Sequence, residues 1–219
     1  MSLTIGSKWL KTQVLLSNAS VANHIPETCL FTKQHLKNML QKYGMVFVKP
    51  VHGGGGAGVI RVKQEQTGYS YTKLSRRLTF SNFDLMYASL LRAKKRRSYL
   101  IQRGIELAQI GGRPIDYRVK FVKKEAGWKI TAMLGRLARP GLVITNVCKG
   151  GTLIKGRLAL QQSLPHISTR SKQQEMRNLT RVCTAILEER FPGIGQLGFD
   201  YGLDHSGKIW ILEVNTRPQ

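Results

Sequence analysis

Carboxylates are scarce in this chain, and two of them stand where a carboxylate is costly. Asp200 lies inside GFDYG and Glu213 inside IWILEV, both apolar runs that read as strands. An ionised side chain there needs a cation beside it, because an unpaired buried charge costs several kcal/mol even after relaxation. Asp204 to Gly207 form a turn joining the two runs, and Asn215 follows Glu213 by two, the spacing that keeps both on one face of a strand. Two carboxylates and an amide oxygen are hard donors suited to Mg²⁺ shared with phosphate and water. Arginines in a structural ion pair would satisfy the same carboxylates, and the spacing alone leaves both readings open.

A second stretch, FVKPVHGGGGAGVIRV at 47–62, sets Gly53, Gly54, Gly55, Gly56 and Gly58 between two β-branched runs, with Lys49 just ahead. Glycine inside a strand costs about 0.5–1 kcal/mol relative to alanine, so the run belongs at a hairpin tip. There its backbone N–H groups can fold over phosphate oxygens while Lys49 supplies a point charge. It is not a P-loop, since no Gly-Lys-Ser/Thr opens a helix behind it. A flexible exposed turn is the plain alternative.

The elements that must position these residues alternate between two periods. Ser7 to about Leu16 has helical spacing. Thr32 caps a helix through Leu36, Met39, Leu40 and Tyr43 that Gly44 closes. MVFVKP and GVIRVK read as strands flanking the glycines, with further strands in GYSYTK, RRLTFS and YLIQ. Asn82 to about Lys95 reads as a helix whose KKRR end, 94–97, is a solvated terminus. DYRVKFVKKEAGWKITAMLGRLA is a long hairpin turning at Glu125, Ala126 and Gly127, and Met176, Leu179, Cys183, Ile186 and Leu187 mark a helix stopped by Pro192. Strands in runs with helices between them predict an α+β fold with antiparallel sheets. Trp9, Trp128 and Trp210 alternate with apolar residues and read as core.

Composition bounds the partners. The 219 residues carry 35 Lys and Arg against 12 Asp and Glu, a formal charge of +23 that draws in anions of any kind. Interleaved aromatic stacking platforms are missing from the basic stretches, which argues against nucleic acid. No apolar run approaches the ~20 residues of a membrane span. Cys29, Cys148 and Cys183 lack metal-ligand spacing and fit a reducing cytoplasm better than a disulfide framework. The oligomeric state is not legible.

Taken in order, these pieces resemble the ATP-grasp superfamily, most closely its YheC/YheD branch, the endospore-coat-associated group of spore-forming bacteria. Lys8 in SKWLKTQVLL looks like the early ATP lysine, IPET at 25–28 like the link that follows, Lys49 in FVKP like the second lysine, and Gly53 to Gly58 like the mobile phosphate loop. YLIQRGI, with Gln102, resembles the hinge whose backbone at Arg103 and Ile105 pairs with adenine. Family members often carry an acid where Arg103 stands, so the ribose contact falls to Glu106 or Asp116. Asp116 and Arg118 in PIDYRV, Arg136 in LGRLA and Asn146 in TNVCKGG match further nucleotide and phosphate positions. GFD with LEVNTRP resembles the metal-binding finish formed by Asp200, Glu213 and Asn215.

The resemblance implies two α+β lobes clamping a nucleotide, about 26–102 forming the smaller ATP-binding lobe and about 1–25 with 103–219 the larger lobe with the metal site. The pre-grasp domain usual in relatives is expected to be absent. It further implies ATP and Mg²⁺, with Mn²⁺ as a substitute, in a carbon–nitrogen ligase that joins a carboxylate to an amine through an acyl phosphate. Arg118, Arg136 and Arg217 would hold the carboxylate and the transferring phosphate. Small-molecule or peptide substrates fit, as does an acidic polymer, in the cytoplasm of a spore former. The rival from another class is a catalytically idle ATP-binding structural protein of the spore.

Overall fold

The structure is a computed structural model that describes residues 2–142, 145 and 150–218. In chain order it runs α1 (Lys8–Leu16), α2 (Ala19–Ala22), β1 (Thr28–Leu30), α3 (Lys33–Tyr43), β2 (Met45–Pro50), β3 (Ile60–Glu65), β4 (Gly68–Lys73), β5 (Arg76–Phe80) and α4 (Phe83–Ala93). There follow β6 (Tyr99–Arg103), β7 (Gln109–Ile110), β8 (Arg113–Lys124), β9 (Gly127–Leu137), β10 (Thr152–Lys155), α5 (Gly156–Ser163), α6 (Thr169–Arg190), β11 (Gln196–Leu203) and β12 (Ile209–Asn215). The predicted α+β class with antiparallel sheets is what the chain adopts.

Two compact units divide the chain: Pro26–Ile105 with Pro140–Ile144, and Met1–Ile25 with Glu106–Arg139 and Thr145–Gln219. The first contains a six-stranded sheet in the order β1-β6-β2-β3-β4-β5. Alternation along β2 sends Val46 and Val48 into an apolar core with Ile60, Val62 and Ile101, which Leu36 and Leu40 of α3 and Met86 and Leu90 of α4 complete. Phe47 and Lys49 are left on the other face. Thr32 and Asn82 cap their helices as the sequence suggests, accepting from the backbone N–H of His35 and Leu85 at 3.0 Å each. The glycine run is a hairpin tip between β2 and β3, whose last rung is Val48 opposite Ile60. Its Gly53, Gly55, Gly56 and Gly58 take φ of +123°, +62°, +69° and +80°, a path closed to most side chains.

The second unit holds β10-β9-β8-β11-β12, with β7 on β8. One face is its core: Ile115, Tyr117 and Val119 of β8 and Phe199 and Tyr201 of β11 pack with Met176, Cys183 and Leu187 of α6. At Gly135 of β9 the helix α5 comes so close that a Cβ would sit 2.5 Å from the Cβ of Ala159. Trp210 is buried as expected, whereas Trp9 and Trp128 are only half-buried; the Trp128 indole donates to Glu188 at 2.8 Å, which keeps one edge at the surface. No helix among the described residues is long and apolar enough to cross a membrane.

Candidate functional site

The carboxylate-bearing unit assembles its polar residues on the face of β8, β9, β11 and β12 opposite the core. Asp200 stands directly across from Glu213, and Gly198 across from Asn215, so the three predicted metal ligands share a face. That outcome depends on a β-bulge. From the turn outward β11 and β12 pair in the register Leu203–Ile209 and Tyr201–Ile211, which would set Asp200 against Leu212 and turn Glu213 to the core side. An extra residue, Leu212, resets the register by one and brings the two carboxylates onto the same side.

A second bulge does the same for the arginines. Near its turn the β8–β9 hairpin pairs Lys124 with Gly127 and Phe121 with Ile130. Beyond Lys120 the register shifts by one, and Asp116 comes to lie across from Arg136. Arg136 donates from Nε to Asp116 Oδ1 at 2.7 Å and lies 3.1 Å by Nη2 from Asp200 Oδ1. Arg118, paired in register with Asp200, grips that carboxylate with two donors, Nε to Oδ1 and Nη2 to Oδ2, the latter at 3.0 Å. Burial drives the Asp116 carboxyl upward in pKa, and Arg136 pulls against it. On Arg136 burial works against the charge, but Asp116 and Asp200 hold its pKa above the ordinary range.

Glu213 is met from α1, where Lys8 reaches its Oε1 at 3.4 Å. One turn further on, Lys11 is buried and donates to the Ile5 carbonyl at 2.5 Å. Burial brings its pKa down to about 8, with Glu213 offsetting part of the effect. A base depressed on folding binds fewer protons folded than unfolded between about 8 and its ordinary value near 10.5, so stability rises with pH across that window. Lys11→Met should therefore stabilise the protein at pH 7 by about 1–3 kcal/mol, a gain that fades towards pH 10, measured by urea unfolding at both pH values. The Ile5 carbonyl keeps the Thr216 hydroxyl, which donates to it at 3.3 Å.

The glycine-loop unit positions its own candidates. Lys49 Nζ donates to Gln102 Oε1 at 2.5 Å, and the Gln102 amide N–H₂ donates to Thr28 Oγ1 at 3.2 Å. Two predicted nucleotide residues are thus tied to one another on the face away from α3 and α4. At the hinge the Arg103 N–H already donates to the Glu27 carbonyl at 2.8 Å, and its guanidinium lies 4.8 Å over the Tyr43 ring. That N–H is engaged, and Ile105, the other residue expected to pair with adenine, is buried. Glu106 and Arg217 are exposed. Asn146 lies outside the described residues.

One contact escapes a sequence reading altogether. Arg97, at the end of KKRR, donates from Nη2 to the Ala57 carbonyl of the glycine hairpin at 3.3 Å.

As a divalent-cation site, Asp200, Glu213 and Asn215 offer oxygen donors on one face, and Glu213 keeps 22% of its side chain exposed. Among the described residues no three His, Cys, Asp or Glu side chains gather at one point. A cation here would therefore draw on the Asn215 amide and on phosphate oxygens, with Arg118 and Arg136 sharing Asp200. The donor chemistry fits a hard ion such as Mg²⁺.

A model of the YheC/D-like ATP-grasp family matches residues 2–219. The chain belongs to that family. This YheC/D-like ATP-grasp chain is 26% identical over 223 residues to endospore coat-associated protein YheD of Bacillus subtilis (strain 168); the match covers 98% of the chain and 49% of YheD. It thus spans about half the length of that relative. Among solved structures the ATP-grasp chain resembles N5-carboxyaminoimidazole synthase from Aspergillus clavatus, in complex with ADP and 5-aminoimidazole ribonucleotide, with TM-score 0.61, 14% identity and 99% of this chain against 45% of that one. It also resembles D-alanyl-alanine synthetase A from Vibrio cholerae, with TM-score 0.57, 13% identity and 97% against 55% coverage. At such identities these likenesses speak for the fold.

Proposed function

We propose that this chain binds ATP with Mg²⁺ and uses it to join a carboxylate to an amine. The observation that carries the reading is the charged face itself, with Asp200 and Glu213 directly opposed, Asn215 beside them and two arginines on the same side. Lys49, held by Gln102 beside the glycine hairpin, and Lys8, beside Glu213, would hold the triphosphate. Asp200, Glu213 and Asn215 would hold Mg²⁺, which supplies neutralisation of charge on the phosphates. Arg118 and Arg136 would orient the acceptor carboxylate, since a guanidinium forks onto paired oxygens. A carboxylate oxygen then takes the γ-phosphoryl group and ADP leaves. The amine nitrogen attacks the acyl carbon, phosphate departs, and the nitrogen gives up a proton. A neighbour in fold is named a D-alanyl-alanine synthetase and another was crystallised with ADP, which agrees with this class of chemistry.

Calorimetry with ATP, with and without Mg²⁺, is the first test, followed by ADP release in the presence of amino acids, short peptides and polyglutamate. Mg²⁺-dependent binding with acceptor-stimulated ADP release is expected; a chain that binds no nucleotide would overturn the reading. The grip of Arg118 and Arg136 on Asp200 favours a second reading, in which the face is a structural ion-pair lattice in an idle nucleotide-binding protein. Binding without ADP release for any acceptor would select it.

A further inference from the structure

We infer that Arg97 is a phosphate-contacting residue of the glycine hairpin, reading the β- and γ-phosphates of a bound nucleoside triphosphate; this rests on the ATP-binding reading above. The placement follows from sheet register. Pro50, the last residue of β2, is paired with Tyr99, the first of β6, and the Val51 N–H donates to the Ser98 carbonyl at 3.0 Å. Because the strands are antiparallel, the residues just before Tyr99 run alongside those just after Pro50, Val51 and His52, which lead into the glycines. Arg97 uses that position. Its Nη2 bonds the Ala57 carbonyl, a Cβ built on Gly58 would lie 2.6 Å from Nη2, and one on Gly53 would lie 3.7 Å from Nη1. One guanidinium therefore reaches both ends of the hairpin, and a side chain at Gly58 would displace it.

The segment that carries Arg97 is anchored. Tyr99 is buried, its hydroxyl accepts from the Lys95 N–H at 3.2 Å, and the Arg97 guanidinium lies 5.8 Å from its ring centre. Lys94 sits 3.3 Å over the Phe31 ring and 4.7 Å from that of Tyr99, so the chain enters the loop region from a fixed point. Burial brings the Lys94 pKa down to about 8, in keeping with an ammonium tucked against two rings.

Charge supplies the other half of the argument. The carboxylates of Glu27, Glu65 and Asp84, which are all that Pro26–Ile105 contains, bond Lys42, Arg77 and Lys33. Arg97 instead meets a neutral carbonyl at 3.3 Å, a long and weak bond for a guanidinium. Phosphate oxygens are far better acceptors for its planar fork, so a nucleotide under the hairpin would draw it from Ala57 to the phosphates. The arginine is exposed, and its exchange of partners costs little packing.

The test compares ATP, ADP, AMP and adenosine binding by calorimetry at one ionic strength for the natural chain, Arg97→Ala, Arg97→Lys and Arg96→Ala. Arg97→Ala should weaken ATP and ADP about 10- to 100-fold while sparing AMP and adenosine. Arg97→Lys should recover part of the loss, and Arg96→Ala should match the natural chain. Thermal melting of Arg97→Ala should be unchanged, so that a folding defect is recognised as such. Equal ATP affinity in Arg97→Ala, or a uniform loss across all four ligands, would overturn the assignment. A natural chain that binds none of the four would instead bring down the ATP-binding reading, and the inference with it.

Discussion

Arg136→Leu should cost about 3–5 kcal/mol of folding free energy at pH 7, read from urea unfolding. Arg136 is buried and bridges Asp116 and Asp200, so its removal leaves Asp116 in the interior without its partner and Asp200 with Arg118 alone. The Asp116 carboxyl, already driven up by burial, would then titrate higher still. A carboxyl whose pKa is raised on folding contributes stability that is present below its unfolded value and lost as pH rises through its folded one. The variant should therefore be relatively more stable in mild acid than at neutrality, and the gap to the natural chain should widen from about pH 4 to pH 7. Adding Asp116→Leu should restore most of the loss, because a buried pair replaced as a whole by apolar groups is often neutral. If Arg136→Leu alone unfolds like the natural chain at pH 7, the bridging role is wrong.

The same face shows what a sequence can and cannot disclose. Alternation and turn residues were enough to read the α+β class, the β8–β9 hairpin about Glu125 to Gly127 and the glycine hairpin between β2 and β3. They were enough to suspect that Asp200, Glu213 and Asn215 converge. The bulges at Lys120/Phe121 and Asp200/Tyr201 were not legible, yet without them Asp116 would oppose Gly135 and Glu213 would turn into the core. A bulge is one residue out of step in an otherwise regular alternation, and Leu212 and Thr131 carry no turn chemistry that would betray it.

Other features escape the sequence through weak local signals or through partners distant along the chain. The helix α5 begins at a glycine after Lys155, with no side-chain cap, so nothing in GRLALQQS announces a start. Strand β1 is only three residues long, and β10 is a short, mostly exposed edge. In the sequence Arg97 is one more charge of a solvated helix end, because its partner is a carbonyl 40 residues away, brought near by the register of β2 and β6. Lys49 is legible from its place ahead of the glycines and Gln102 only from the hinge motif; that they bond one another follows from their neighbouring positions on β2 and β6.

Glu213→Gln separates the proposed chemistry from the fold. Glu213 is partly exposed and its contact with Lys8 spans 3.4 Å, so losing that pair, together with the support Glu213 gives buried Lys11, should cost about 1–2 kcal/mol of stability. Asp200→Asn, by contrast, would strip a carboxylate from two arginines and confound any loss of activity with a loss of structure. Glutamine keeps the shape and one oxygen donor but gives up the charge on which Mg²⁺ depends. The expected result is a fall of about 100-fold or more in Mg²⁺-dependent ADP release, an effect of roughly 3 kcal/mol on the transition state. Binding of ATP measured without divalent cation should not weaken, since Lys49, Lys8 and the glycine hairpin are kept and a negative charge beside the phosphates is removed. Titrating Mg²⁺ against ADP release in both chains reads the difference as a rightward shift and a lower plateau. Superimposable Mg²⁺ curves would show that the cation, if one is used, is held elsewhere than on the Asp200 and Glu213 face.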